Sequence, residues 1–181
     1  MSDTQPNTIK PAEQPMAHPL PLHVVRIKKL KSLLAIVENS IKGGDNYFFR
    51  NLYASEDGKE VDILEGGRNS CAVFVSWILL TLELIKRPHA TVHATENDLL
   101  ASGWQEIKEL KPGAVIIWEK LEGAMYDGEK VPKEHMGFYV GNNKAISNDS
   151  KATGFPHQHD ATYGGSRKIE KIFWHPELDN D

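Results

Sequence analysis

At 181 residues, with 40% apolar and 25% charged residues, the chain has the length and composition of one soluble globular domain plus a tail. A net charge of −4 without any basic run argues against nucleic acid or an anionic membrane surface as the main partner. The single cysteine excludes an internal disulfide and a cysteine-based zinc centre.

Residues 1–22 carry Pro6, Pro11, Pro15, Pro19 and Pro21 among polar side chains, which predicts a disordered arm, with one domain over 23–181. The N-terminus shows no apolar run of the kind a Sec-type signal peptide needs, so the product is expected to be cytoplasmic as synthesised. Ile27, Leu30, Leu34, Val37 and Ile41 recur at helical spacing and predict an amphipathic helix from about Val24 to Lys42, stopped by Gly43-Gly44. Glu56-Asp57-Gly58-Lys59 reads as a turn, and Val61 and Ile63 alternate with polar neighbours as in a short hairpin arm.

A glycine-containing turn, Gly66-Gly67-Arg68-Asn69-Ser70, then runs into the apolar stretch that begins at Cys71. Asn69 or Ser70 can cap a helix there, expected to reach about Lys86 before Arg87-Pro88 ends it. The stretch from Ala72 to Leu82 is shorter than the roughly 20 residues of a membrane span, so a central buried helix is predicted. Thr95 to Asp98 resembles a capping box before a second short helix that Gly103 closes.

From Trp104 the pattern is strands and turns. Ala114–Trp118 and Met136–Val140 read as buried strands, separated by a polar loop over Glu119–Glu134. Gly141-Asn142-Asn143 turns the second into Lys144–Ser147, and Arg167–Trp174 reads as a last strand.

Cys71 in the first turn of a helix meets unpaired backbone N–H groups and the positive end of the helix dipole, which favour a thiolate. Those N–H groups also suit an oxyanion formed beside the sulfur. His135 stands just before an apolar strand, where a half-exposed imidazole can exchange protons. The following hairpin returns at Ser147-Asn148-Asp149, any of which could orient that ring. Two histidines two apart, His157 and His159, offer a competing metal-binding reading with His135 or Asp160. The turn formers Gly154 and Pro156 favour a loop at a groove rim instead. His89, His93 and His175 show no partner pattern and read as surface or structural.

Four pieces in order resemble the NlpC-type and CHAP-type cysteine peptidases and amidases. They are Asn69-Ser70-Cys71-Ala72, Gly103-Trp104, Leu110-Lys111-Pro112-Gly113-Ala114-Val115 and His135-Met136-Gly137-Phe138-Tyr139-Val140-Gly141. The resemblance implies an α+β, papain-like fold with a central Cys-bearing helix on an antiparallel sheet. It also implies thiol-dependent cleavage of an amide in a peptide or peptidoglycan fragment, with no cofactor and no metal. By the same resemblance Cys71 is the nucleophile and His135 the general base. The third group falls near Ser147 or Asn148, and Asn148 is preferred because an amide accepts from imidazole without adding charge. The chain departs from the family's usual Asp before the cysteine and Ser-Gly after it, having Ser70 and Ala72-Val73. A catalytically silent module that binds a peptide or partner protein is the alternative. Without a visible signal peptide, action on a cell wall would need delivery by another route.

Overall fold

A computed structural model describes residues 25–121, 125–126 and 129–180. The proline-rich arm at 1–22 lies outside the described residues. Among the described residues there are three α-helices, α1 (Lys29–Asn39), α2 (Cys71–Thr81) and α3 (Val92–Ala101). A hairpin, β1 (Tyr53–Glu56) and β2 (Lys59–Asp62), precedes α2. The strands after α3 are β3 (Gln105–Glu106), β4 (Val115–Leu121), β5 (Met125–Tyr126), β6 (Glu129–Lys130) and β7 (Lys133–Gly141). They are followed by β8 (Lys144–Asn148), β9 (Pro156–Asp160) and β10 (Ile169–Trp174).

Six strands form one antiparallel sheet in the order β3-β10-β4-β7-β8-β9. Alternation along each strand sends successive side chains to opposite faces. Val115, Ile117, Met136, Phe138 and Ile146 therefore face the helices and share the main core with Leu33, Val37, Phe74 and Leu99. Ile116, Trp118 and Ala145 face the other way and pack with Ala161. The fold is thus α+β, with the Cys-bearing helix packed on an antiparallel sheet. In α2, Ala72 to Ser76, Ile78 and Leu79 are all buried, because α1, α3, β7 and β8 surround it. A helix enclosed on several sides needs apolar residues all round, as its sequence has. Among the described residues no helix is long and apolar enough to cross a membrane.

Three helix boundaries differ from the sequence reading, each for a local reason, and β4 and β7 extend into the predicted Glu119–Glu134 loop. Helix α1 begins at Lys29, and Ile27 is 64% exposed, with Leu33 occupying the buried stripe in its place. Helix α2 ends at Thr81, since Glu83 turns left-handed at φ 55°. The Asp98 carboxylate then gathers the Lys86 and Arg87 N–H groups at 3.4 and 3.2 Å, together with the His89 ring at 2.8 Å. Satisfying those donors outside a helix lets the chain leave it early. His89 accordingly has a structural partner. The cap of α3 is Thr91, whose Oγ1 accepts from Ala94 N at 3.2 Å, while Thr95 and Asp98 lie inside the helix and buried.

The loop into Cys71 is fixed from both sides. Asp62 accepts from the Leu64 and Gly66 N–H groups at 3.2 and 2.9 Å, shaping the turn. Gly67 (φ 95°) lies against Gly154 (φ 73°), in the loop after β8. A Cβ on Gly67 would stand 2.9 Å from the Gly154 carbonyl carbon and nearer still to its oxygen. Both the backbone angle and the close approach require glycine. Gly67→Ala is expected to destabilise the protein by about 2 kcal/mol or more, measured by urea unfolding. A loss within about 0.5 kcal/mol would mean that the two loops are not packed this closely.

Candidate active site

Cys71 opens α2 directly after this loop. Ser70 holds the N-cap position without a side-chain cap bond, its hydroxyl donating instead to Gly67 O at 2.7 Å. Asn69 is pinned by Lys133 Nζ, 2.7 Å from its Oδ1, which ties the loop to the start of β7. Cys71 is half-buried, and the backbone N–H groups of Met136, Ala72 and Cys71 itself favour its thiolate. Burial is the larger effect and pushes the thiol pKa up, against those N–H groups and the nearby Arg167. The helix start therefore does not yield the standing thiolate that the sequence suggested. Desolvation is the reason.

His135 pairs with Trp118 across β4 and β7 and lies on the sheet face away from α2. It is 3% exposed, more deeply buried than a strand-start position implies. Its Nε2 is 2.9 Å from Ser147 Oγ. Ser147 shares that face. The same hydroxyl lies 2.8 Å from His159 Nε2 and 3.3 Å from the Tyr163 hydroxyl. His159 stacks on Tyr163 at 4.0 Å between ring centroids, interplanar angle 17°. Burial lowers the His135 pKa to about 3, helped by the charges of Arg167, His159 and His157. Burial likewise takes His159 to about 4. Both rings are neutral near pH 7.

That neutrality fixes every proton in the chain of contacts. His159 Nδ1 lies 2.8 Å from the Asp160 carbonyl oxygen, which can only accept, so Nδ1 carries the hydrogen. Nε2 of His159 is then an acceptor, and Ser147 must donate to it. Having spent its one proton there, Ser147 Oγ accepts from His135 Nε2–H. The remaining nitrogen of His135, Nδ1, is left with a free lone pair. A general base needs that form.

Asn148 does not orient His135. Strand alternation turns it to the opposite face from Ser147, toward the N-terminus of α2. Its amide donates to Ser70 Oγ and to Gly154 O, the latter at 2.9 Å, and its Oδ1 is buried without a partner. Both partners are acceptors, since Ser70 has given its own proton to Gly67 O, so the amide orientation is settled. Asn148 thus stitches the two loops, and Ser147 holds the ring. The residue beside His135 is therefore Ser147, one position before the Asn148 that the sequence favours. Asp149 is occupied in its own loop, accepting from the Lys151, Ala152 and Thr153 N–H groups at 3.1, 3.1 and 3.0 Å.

His157 and His159 lie on a strand, β9, rather than in a loop. Their ring centroids are 5.0 Å apart, but Asp160 turns its carboxylate to the Thr162 and Gly164 N–H groups at 2.9 and 3.0 Å. Among the described residues no group of three or more His, Cys, Asp or Glu side chains is placed to hold a metal ion. His175 is structural, 2.9 Å from Ser102 O through Nε2, and His93 lies 3.2 Å from the exposed Asn97 amide.

Cys71 and His135 line one cavity of about 900 Å³, with Asn69, Lys133, Leu121 and Arg167 also on its wall. The sequence reading missed Tyr163 and Arg167. Neither falls in a recognisable motif, and both lie in the 161–168 connection, which folds back over the sheet. For His159 the sequence suggests a metal ligand or a groove-rim loop, not a partner of Ser147. Comparison with models of known protein families and with curated proteins finds no match for the chain.

The buried neutral histidines set the acid stability. Unfolded, each titrates near 6.5; folded, near 3 and 4. Between about pH 4 and 6.5 the unfolded chain binds protons that the folded one refuses, so stability falls as pH falls through that window. Urea unfolding across it is expected to show uptake of roughly one to two protons, reduced in His135→Gln. A flat profile between pH 4.5 and 6.5 would contradict the neutral assignment on which the proton order depends.

Proposed function

We propose that the chain is a papain-like thiol hydrolase of the NlpC/CHAP type, cleaving an amide bond in a peptide such as those of bacterial peptidoglycan. The observation that carries this reading is that Cys71 and His135 line the same cavity, with His135 Nε2 held 2.9 Å from Ser147 Oγ. Cys71 Sγ attacks the amide carbon while its proton passes to His135 Nδ1. The N–H groups at the start of α2 receive the developing oxyanion. Collapse of the intermediate expels the amine, which takes the proton back from His135 and leaves a thioester. Water then attacks the thioester, His135 again removing and returning one proton, and the acid and free thiol are released. No step calls for a cofactor.

The silent binding module keeps one specific observation in its favour. A thiol pushed up and an imidazole pushed down oppose ion-pair formation in the empty cleft. On the hydrolase reading the proton moves only as the sulfur attacks, and because thiol and imidazole both stay neutral through pH 7, activity is expected to be flat across neutrality. The test is incubation with purified peptidoglycan peptide fragments and mass analysis of the products. New amine and carboxylate termini are expected, and Cys71→Ala should abolish them; products that persist in that variant, or none from the native chain, favour the binding module.

The same assay separates the two neighbours on β8. Ser147→Ala is expected to lower turnover by roughly 10- to 100-fold, less than loss of the base itself, with folding retained. Asn148→Ala should act mainly on stability, costing about 1–2 kcal/mol because it strips a donor from Ser70 and Gly154. The opposite pattern would return the orienting role to Asn148.

A further inference from the structure

Arg167 is 8% exposed, yet among the described residues no carboxylate pairs with it. Its Nε and Nη2 donate to Glu119 O at 3.1 and 2.9 Å, and Nη2 also donates to Lys133 O at 3.0 Å. These carbonyls orient the guanidinium without neutralising it. The Glu119 carboxylate accepts from Lys168 N–H at 2.8 Å instead. Buried charges are ordinarily paired, and among the described residues this guanidinium is held at a cavity wall by neutral acceptors alone.

The surroundings point the same way. Arg68, Lys133, Lys151 and Arg167 line the cavity, against Glu65 and Glu134, and Glu134 is 3.4 Å from Lys120. This cationic wall belongs to a chain whose net charge is −4. Arg167 also lines an adjoining recess of about 60 Å³ with Asn148, His157 and Tyr163. That recess has room for a few waters or a small anionic group.

We propose that Arg167 is the anchor for a carboxylate of the ligand that enters the Cys71 cavity. A fixed guanidinium fork presents paired donors to a planar carboxylate, and exclusion of water strengthens the contact. The ligand class is a peptide bearing a free carboxylate near the bond that faces Cys71. As a substrate anchor the site rests on the hydrolase reading, but as an anion site it does not require Cys71 to react.

Two probes differing only in that group provide the test: acetyl-alanyl-alanine and its C-terminal carboxamide, titrated calorimetrically into the full chain at low salt. The acid is expected to bind about tenfold tighter or better. Arg167→Gln should erase the preference, and Arg167→Lys should restore part of it. Cys71→Ala should keep it. Equal binding of the two probes by the native chain overturns the proposal without any variant, as does failure of both to bind. A preference that survives Arg167→Gln overturns it too. Acid preference without peptide cleavage would sink the hydrolase reading and leave the anion site standing; cleavage without acid preference would do the reverse.

Discussion

The Ser147 hydroxyl has one proton and two imidazoles beside it, and much of the site follows from how that proton is committed. The Asp160 carbonyl makes His159 a donor at Nδ1, which obliges Ser147 to donate to His159 and accept from His135. A main-chain carbonyl on an edge strand thereby sets the tautomer of a ring two strands away. The arrangement holds only while both rings stay neutral, and their burial among Trp118, Tyr163 and the sheet keeps them so. Desolvation is therefore as much a part of the design as the hydrogen bonds.

On the proposed hydrolase reading, the same desolvation sets the cost of chemistry. It raises the thiol and lowers the imidazole, so the resting pair is neutral and the proton transfer is uphill until charge develops on a bound substrate. Preorganised donors are worth most in that situation, because they meet a charge formed only in the transition state. In that proposal the N–H groups around Cys71 would serve this role, since Ser70 spends its hydroxyl on Gly67 rather than on capping the helix. The glycine contact between the two loops and the Asn148 amide keep that helix start in place. Their role is architectural, though Gly67 closely precedes Cys71 and Asn148 is next to Ser147.

Much of this fold is legible in the sequence. The all-apolar face of α2, the strands around Trp118 and Phe138, and the polar turn of the first hairpin each follow from period and turn chemistry. The misreadings share a cause, which is polar groups that act at a distance along the chain. Asp98 ends α2 early by collecting N–H groups from residues 86 and 87, and no local propensity encodes that. Asn148 was preferred over Ser147 on chemical grounds, but the register of β8 against β9 decides which of the two reaches His135. Adjacent residues on a strand face opposite sides, so an error of one position reverses the assignment. Arg167 carries no motif at all, and it stands out only by being buried with no carboxylate partner among the described residues.

The central claim is that a half-buried thiol and a neutral imidazole share one accessible cavity. Iodoacetamide labelling of Cys71 in the native chain, followed against pH, addresses it directly. The account predicts labelling without unfolding, with an apparent pKa at or above the ordinary thiol value of about 8.5. Labelling that appears only after denaturation would contradict the shared cavity, and an apparent pKa far below that value would contradict the neutral resting pair.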